Sequence, residues 1–333
     1  MTIEAIDVIG AGAWGTALAA LARENRCRVR IWAHEPEVAA AINEEHENPH
    51  YLAGVELPDG IEATSELSTL GDADAALLVT PAQHLRAVAR RFAAHVGPEV
   101  PVVICAKGIE QETGRLMSEV CADVLPDQAL AVLSGPTFAA EVARGRPTAV
   151  TIAAADQALA DELAAALGSA RFRPYASHDL IGAEVGGALK NVIAVACGIA
   201  EGLDFGQNAR AALITRGLAE ITRFAVAKGA EPATLAGLSG LGDLVLTATS
   251  EQSRNYSLGL AVGRGARAKD VLAERRTVAE GAYTAGAVAR LAGELDIDMP
   301  IAASVDRIIN RDADMREVVE ELLARPFRRE EPA

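Results

Sequence analysis

The chain reads as an α/β domain followed by an all-α domain: a mostly parallel, doubly wound sheet over residues 1–180, then helices over 181–333. Three observations predict this. The first half alternates short β-branched runs with longer Ala-rich amphipathic runs, the pattern of strands joined by helices that cover the sheet. A glycine-rich turn, Gly10-Ala11-Gly12-Ala13-Trp14-Gly15, closes the first apolar run and opens the first helix. After Asp179 the strand-like runs stop, and from Glu184 onward the apolar spacing is helical.

The elements follow in order. Residues 3–9 are an apolar run ending at a glycine and read as the first strand, and 16–24 as the first helix. A second strand at 28–32 and a helix at 35–45 come next. Strands at 75–79, 102–105, 130–133 and 149–152 then alternate with helices at 83–94, 115–121 and 156–167. In the second half, 208–228 has a polar start and a long amphipathic run, with Gly229 as its stop. The last helix, 313–324, ends before Pro326, and the charged tail at 327–333 reads as frayed. No repeat or low-complexity linker separates the halves, so the boundary near residue 180 is a change of structural class rather than a flexible hinge.

A length of 333 residues suits two domains. Half the residues are hydrophobic but only 4% are aromatic, so the cores must be built from Ala, Val, Leu and Ile. No uninterrupted apolar stretch is long enough for a membrane span, and residues 1–10 enter a strand-like run without a basic region or cleavage signal, which argues against secretion. Cys27, Cys105, Cys121 and Cys197 are scattered and show neither CxxC nor zinc spacing. They read as buried thiols in a reducing, cytoplasmic compartment, with no metal site. The net charge of −15 argues against nucleic acid or an anionic membrane as partner, and it obliges any anionic substrate to find a local cationic site.

The glycine turn has the context that dinucleotide binding requires. Gly10 permits the tight turn, Gly12 lets the backbone approach a pyrophosphate, and Gly15 lets the helix pack on the strand. The helix start then offers free N–H groups and a positive dipole end. A second strand about twenty residues on completes the pattern, with Ala13 and Trp14 inside the loop. The competing reading is a turn that serves packing alone. At the second strand end, Trp32-Ala33-His34-Glu35, an acidic residue would accept from the ribose 2′-OH of NAD. Ala33 stands in that place and Glu35 enters the next helix. His34 either flanks a 2′-phosphate or is a surface loop residue, so NAD and NADP both stay open.

Of 31 basic residues only four are lysines, Lys107, Lys190, Lys228 and Lys269. A dehydrogenase acting on a secondary alcohol needs a group that accepts the hydroxyl proton, and lysine serves where desolvation or a second cation lowers its pKa. Lys107 lies just past a strand's C-terminal end, the edge where open α/β sheets bind ligands. Lys190 lies on the first helix after the sheet domain, preceded by the small residues Gly186-Gly187-Ala188. Lys228 reads as a helix C-terminal charge and Lys269 as solvated. Ser134-Gly135-Pro136-Thr137-Phe138-Ala139 sits at another strand end, either a helix-starting turn or a ligand edge. Three glycines within 237–242 imply close backbone approach, and Asp243, Thr247, Arg254 and Asn255 follow nearby. Arg254 either grips a phosphate with its planar fork or is an ordinary exposed arginine.

Over nearly its whole length the chain resembles the bacterial glycerol-3-phosphate dehydrogenase [NAD(P)+] family. The runs carrying the resemblance are G-A-G-A-W-G-T-A-L-A at 10–19, A-K-G at 106–108, S-G-P-T-F-A at 134–139, and G-G-A-L-K-N-V at 186–192. N-A-R-A-A-L-I-T-R-G at 208–217, G-L-G-D-L-V-L-T at 240–247, S-R-N at 253–255 and V-A-E-G at 278–281 complete them. The resemblance implies a Rossmann domain and a helical domain, and a phosphotriose substrate. Lys190 becomes the proton acceptor, with Lys107 contacting substrate and cofactor. Gly135, Thr137, Asp243, Ser253, Arg254 and Asn255 become substrate positions, supported by Asn191 and Thr247. Trp14, His34, Ala139, Val278 and Glu280 become contacts to NAD or NADP, together with Arg254. A homodimer and a role in supplying glycerol 3-phosphate for phospholipid synthesis are further expectations.

Two other classes compete. A β-hydroxyacid or 6-phosphogluconate type dehydrogenase also pairs a Rossmann domain with a lysine-bearing helix, but Asn191 directly after Lys190 and the triplet Ser253-Arg254-Asn255 suit a short phosphate ester instead. A non-catalytic NAD(P)-binding regulator explains the glycine turn and leaves the polar groups around Lys190 without a purpose.

Overall fold

The computed structural model describes residues 3–274, 279–327 and 329. The chain divides into two compact units, Met1–Ala106 with Met117–Leu180, and Lys107–Leu116 with Ile181–Ala333.

The first unit holds one eight-stranded sheet in the order β3-β2-β1-β4-β5-β6-β7-β8. Its strands are β1 (Ala5–Ile9), β2 (Arg28–Trp32), β3 (Ile61–Thr64), β4 (Ala75–Leu78), β5 (Val102–Ile104), β6 (Leu130–Ser134), β7 (Thr148–Ala154) and β8 (Phe172–Ser177). The helices between them are α1 (Ala13–Glu24), α2 (Pro36–Glu45), α3 (Ala82–Phe92), α4 (Met117–Val124), α5 (Ala139–Ala143) and α6 (Gln157–Leu167). Strands β1 to β6 run parallel, β7 turns antiparallel to β6, and β8 runs parallel to β7. The central strands are buried on both faces, which is why 75–78 and 102–104 read as unbroken apolar runs, while 5–9 is interrupted only by Asp7, whose buried carboxylate accepts from Arg30 at 2.9 Å. The chain order reverses between β1 and β4, creating the switch point at which such sheets bind ligands.

Two strands were not expected from the sequence, β3 and β8, and both are edges. β3 has four residues, only one of them buried. β8 carries Arg173 and Pro174 and leaves most of its positions accessible. An edge strand needs neither two apolar faces nor a full set of N–H donors, so it lacks the pattern that marks an interior strand.

The second unit is helical: α7 (Leu180–Gly202), α8 (Gly206–Ala227), α9 (Pro232–Leu235), α10 (Asp243–Ala248), α11 (Arg254–Gly263), α12 (Ala268–Glu274), α13 (Glu280–Glu294), α14 (Pro300–Asn310) and α15 (Met315–Leu323). Helix α7 is its axis. α7 is long and apolar enough by length and composition to cross a membrane, although Glu184, Lys190 and Asn191 interrupt its apolar run, and 83% of that window is buried inside the protein. It is apolar all round because other helices surround it, and the membrane requirement is met by a core instead. α7 and α11 approach through glycine: a Cβ at Gly198 would lie 2.1 Å from the Tyr256 carbonyl oxygen, and one at Gly259 2.0 Å from that of Val195. α8 ends where expected, at Gly229 with φ +96°. Asp156, Ser253 and Asp314 cap α6, α11 and α15 by accepting backbone N–H groups.

Candidate active site

In the first unit the glycine turn sits at the C-terminal end of β1, beside the switch point. Gly10 has φ +124°, and a Cβ there would stand 2.9 Å from the Val79 carbonyl oxygen. A Cβ at Gly15 would meet the Gly10 carbonyl oxygen, so the helix can start this close to the strand only with glycine. Around Gly12 there is open space. Gly12 is the N-cap of α1 and supplies no side-chain acceptor, so the first N–H groups of α1, from Ala13 and Trp14 on, face that space uncapped. The indole N–H of Trp14, the hydroxyl of Thr80 after β4 and the hydroxyl of Ser134 are buried without hydrogen-bond partners. A bare cradle with the orphaned groups of Trp14 and Thr80 beside it fits a pyrophosphate-bearing dinucleotide, while Ser134 lies three strands away at the end of β6. Thr80 had no signal in the sequence, because a threonine between a strand and a proline reads as a turn.

His34 is exposed at the end of β2, its ring edge-on to Trp32 with centroids 6.0 Å apart. Glu35 stands at the start of α2 without a side-chain bond to it and accepts from the Tyr51 hydroxyl at 3.0 Å, and Ala33 is buried with its N–H donated to the Thr64 carbonyl. Gly135 has φ +153° and packs against Val150, Thr137 donates its hydroxyl to the Gly135 carbonyl at 3.2 Å, and Ala139 begins α5.

The second unit gathers most of the remaining candidates. The ten residues Lys107–Leu116 leave the sheet after β5 and pack with the helices, where Ile109 and Leu116 join the core. Lys107 is thereby a residue of the helical unit, though its sequence position marks it as a strand end. A single π-turn, Leu238–Gly242, precedes α10, with Gly240 pressed against the Leu235 backbone, the close approach expected of the glycine cluster. It delivers Asp243 to the first position of α10 with its carboxylate fully buried. Lys107 Nζ donates to Asp243 Oδ2 at 2.7 Å. Lys190 Nζ, halfway along α7, donates to Asp243 Oδ1 and, at 2.8 Å, to Thr247 Oγ1.

One carboxylate thus faces two lysines. Burial pushes the Lys190 pKa down to about 7; Asp243 opposes this, and Lys107 and Arg254 add to it. The neighbouring Lys107 therefore acts in the expected direction, but desolvation is the larger cause. Arg254 begins α11 behind the Ser253 cap. Its side chain reaches solvent, while the crowding around its guanidinium lowers its pKa against the pull of Glu280. Asn191 donates to the Lys107 carbonyl at 3.4 Å, and Asn255 donates to Asn191 at 2.9 Å. Lys107, Lys190, Asn191, Asp243, Thr247, Arg254, Asn255 and Glu280 are therefore tied by hydrogen bonds or charge within one unit. Val278 lies outside the described residues.

Two family models match the chain, the NAD-dependent glycerol-3-phosphate dehydrogenase N-terminus over residues 5–160 and its C-terminus over 179–320. The glycerol-3-phosphate dehydrogenase [NAD(P)+] of Rhodospirillum rubrum is 58% identical over 327 residues, 98% of this chain and 94% of its own. That of Caulobacter vibrioides is 52% identical over 99% of this chain and 100% of its own. Among solved structures, a glycerol-3-phosphate dehydrogenase from Coxiella burnetii has a TM-score of 0.92 at 38% identity, covering 97% of this chain and 99% of its own. A ketopantoate reductase from Ralstonia eutropha, with a TM-score of 0.60 at 17% identity, shares the fold.

Proposed function

The chain belongs to the NAD-dependent glycerol-3-phosphate dehydrogenase family, and from that premise we propose how its own residues perform the reaction. It is an NAD(P)-dependent oxidoreductase interconverting sn-glycerol 3-phosphate and dihydroxyacetone phosphate. The observation carrying the mechanism is the two-lysine, one-carboxylate cluster of Lys107, Lys190 and Asp243.

The first unit binds the pyrophosphate at the uncapped start of α1 over Gly10, Gly12 and Gly15, with Trp14, His34 and Ala139 as further cofactor contacts. The bound nicotinamide supplies the acceptor, or in reverse the donor, of a hydride. Arg254 and the N-terminal N–H groups of α11 hold the substrate phosphate, an arrangement supported by the helix dipole and the planar guanidinium. Neutral Lys190 is the base. Its amine has two N–H bonds, and Asp243 and Thr247 accept both, which leaves the lone pair as the atom's remaining capacity. That lone pair takes the C2 hydroxyl proton as hydride departs from C2. In reduction the ammonium returns the proton to the developing alkoxide, which Lys107 also stabilises. Ser253 serves by capping α11 and Asp243 by orienting both lysines, while Gly135 and Thr137 of the first unit stay substrate positions on the strength of the sequence resemblance. Glu280, joined by Val278 as a sequence-based expectation, completes the cofactor contacts.

The test is loss of reduced-cofactor absorbance on adding dihydroxyacetone phosphate, with NADH and NADPH in parallel. Rapid oxidation is expected. Demonstrated cofactor binding without oxidation of either overturns the substrate assignment.

We place the protein in the cytoplasm, where its four buried cysteines, none in a disulfide, stay reduced, and there it supplies glycerol 3-phosphate for phospholipid synthesis. We also propose a homodimer. A groove of about 1050 Å³, lined by α7, α8, α14 and α15, opens beside the protruding side chains of Leu323 and Phe327, exposed by 72% and 107%. A groove and apolar knobs on one face are self-complementary in the way a two-fold contact requires. Arg216 on α8 and Glu320 on α15, both exposed, supply charges of opposite sign on the two helices.

A further inference from the structure

Gly12 keeps the phosphate cradle open, because it has no Cβ to fill the space in front of α1. For the same reason nothing at Gly12 itself decides which way the Ala11–Gly12 peptide faces. A trans peptide sends its C=O and its N–H to opposite sides. Turning it over changes the φ of Gly12, and glycine accepts either sign of φ. One orientation offers an anion the Gly12 N–H, and the other offers it the repelling Ala11 carbonyl oxygen.

An asparagine from outside the turn makes the choice. Asn48 lies in the loop after α2, 37 positions from Ala11, and its Nδ2 donates to the Ala11 carbonyl oxygen at 2.8 Å and to Thr16 Oγ1 at 2.8 Å. Thr16 donates its hydroxyl to the same carbonyl at 3.3 Å. Asn48 Oδ1 accepts from the Tyr51 N–H at 3.1 Å, and because a backbone N–H can only donate, the amide has one orientation. Asn48 is 0% exposed, so it offers no surface to a ligand. The loop that carries it is itself fixed. Leu52 donates its N–H to the Asn48 carbonyl and Leu57 to that of His46, both at 2.8 Å, and Leu52, Val55 and Leu57 are buried in the core of the first unit. With the Ala11 carbonyl held by Asn48 and Thr16, the Gly12 N–H is turned away from that buried amide.

We propose that Asn48 is a positioning residue for the dinucleotide: by holding the Ala11 carbonyl it locks the Ala11–Gly12 peptide with its N–H toward the pyrophosphate. This rests on the cofactor reading given above. Asn48 touches neither cofactor nor substrate. It acts on the binding of the diphosphate and not on the hydride or proton steps, which belong to the nicotinamide and the lysine cluster.

Full-length variants test this. Asn48→Asp keeps the shape and the bond from Tyr51, but its carboxylate cannot donate to Ala11 or Thr16. Asn48→Leu removes the donor without adding charge. Binding is read by fluorescence titration with NADH and NADPH. It is read again by displacement with ADP-ribose, which carries the pyrophosphate, and with adenosine, which carries no phosphate. Both variants should bind the dinucleotides and ADP-ribose about tenfold more weakly, the worth of one buried hydrogen bond, while adenosine binds as to the wild type. At saturating cofactor, kcat and the KM for dihydroxyacetone phosphate should stay within about twofold of the wild type. Wild-type affinity for ADP-ribose in both variants overturns the proposal. So does weakening in Asn48→Asp alone, since that is the added charge acting directly. Equal weakening of adenosine and ADP-ribose also overturns it, because the whole loop then carries the effect rather than one peptide. If neither Asn48 variant folds, Thr16→Val decides: ADP-ribose weakened about threefold with adenosine unchanged supports the lock, and wild-type affinity for both removes it. A wild type that binds NADH or NADPH but oxidises neither with dihydroxyacetone phosphate removes the substrate assignment, and the binding comparison still decides the role of Asn48. A wild type that binds no dinucleotide overturns both the cofactor reading and this proposal.

Discussion

At the scale of single residues the decisive property is that a lysine changes protonation near neutrality. Lys190 has its pKa pushed down to about 7 by burial, so the direction of catalysis should select opposite protonation states. In the mechanism proposed above, oxidation of glycerol 3-phosphate needs the neutral amine, so its kcat should rise with pH through a limb near 7. Reduction of dihydroxyacetone phosphate needs the ammonium and should fall through the same limb. Lys190→Ala should lower kcat by about 10²–10⁴ with cofactor binding kept, the usual worth of a proton-transfer group. Lys190→Arg should not rescue it, because an arginine does not release its proton. pH profiles of kcat in both directions check this, and parallel rather than opposed limbs would remove Lys190 from proton transfer. The sequence disclosed both lysines because so few survive among its basic residues and each sits at a structurally marked place. It did not disclose that they share one carboxylate, since Asp243 lies 136 positions from Lys107 and 53 from Lys190. Nor could spacing reveal that Asn48 closes on the Ala11 carbonyl, 37 positions away.

At the scale of elements, interior strands and long helices were legible and edges were not. β1, β4 and β5 are fully buried runs, and the Val and Ile of β1, β2 and β5 mark them further as strands. β3 and β8 have one neighbour each, so solvent removes the constraint that would have patterned them. The same limit hides a helix anchor. Glu220 on α8 accepts the Ile301 and Ala302 N–H groups at 2.8 and 3.1 Å, capping α14 from another helix. In sequence it is one more helical glutamate, because its partners lie 81 and 82 residues away. Burial, opposed by these two hydrogen bonds, raises its pKa from 4.5 to about 7. A carboxyl that keeps its proton longer when folded means that the folded state binds more protons than the unfolded state between these values. Its contribution to stability is therefore fully present below about pH 4.5 and is lost as pH rises to about 7, with no further change above. Glu220→Ala should destabilise the second unit by about 1–2 kcal/mol and flatten that part of the pH dependence, measured by thermal melting from pH 5 to 8. A melting curve as pH-dependent as that of the wild type would show that another group titrates in this window.

At the scale of the whole molecule the sequence placed a change of class near residue 180 and missed the excursion at 107–116, which belongs to the helical unit although it leaves from the sheet. Ten residues bearing one apolar pair, Ile109 and Leu116, are too short to carry a periodicity that names their host. The groove was equally hidden, because its walls come from four helices and its floor from small residues such as Ala196 and Ala200 on α7. An acidic protein of net charge −15 repels its own copies at long range, so association must come from local contacts. In the proposed dimer the exposed Leu323 and Phe327 would provide the apolar part, and the exposed Arg216 and Glu320 the opposite charges that set register. Phe327→Asp with Leu323→Asp should shift the sedimenting species from dimer to monomer at micromolar concentration. Arg216→Glu alone should weaken the dimer, about tenfold for a well-placed interface charge, and Arg216→Glu with Glu320→Arg should restore it. Rescue by the double reversal would place those two side chains opposite each other across the two-fold. Weakening without rescue would leave the apolar face as the contact but separate that pair. A monomeric wild type, or a dimer indifferent to Phe327 and Leu323, would take the second copy away from this groove.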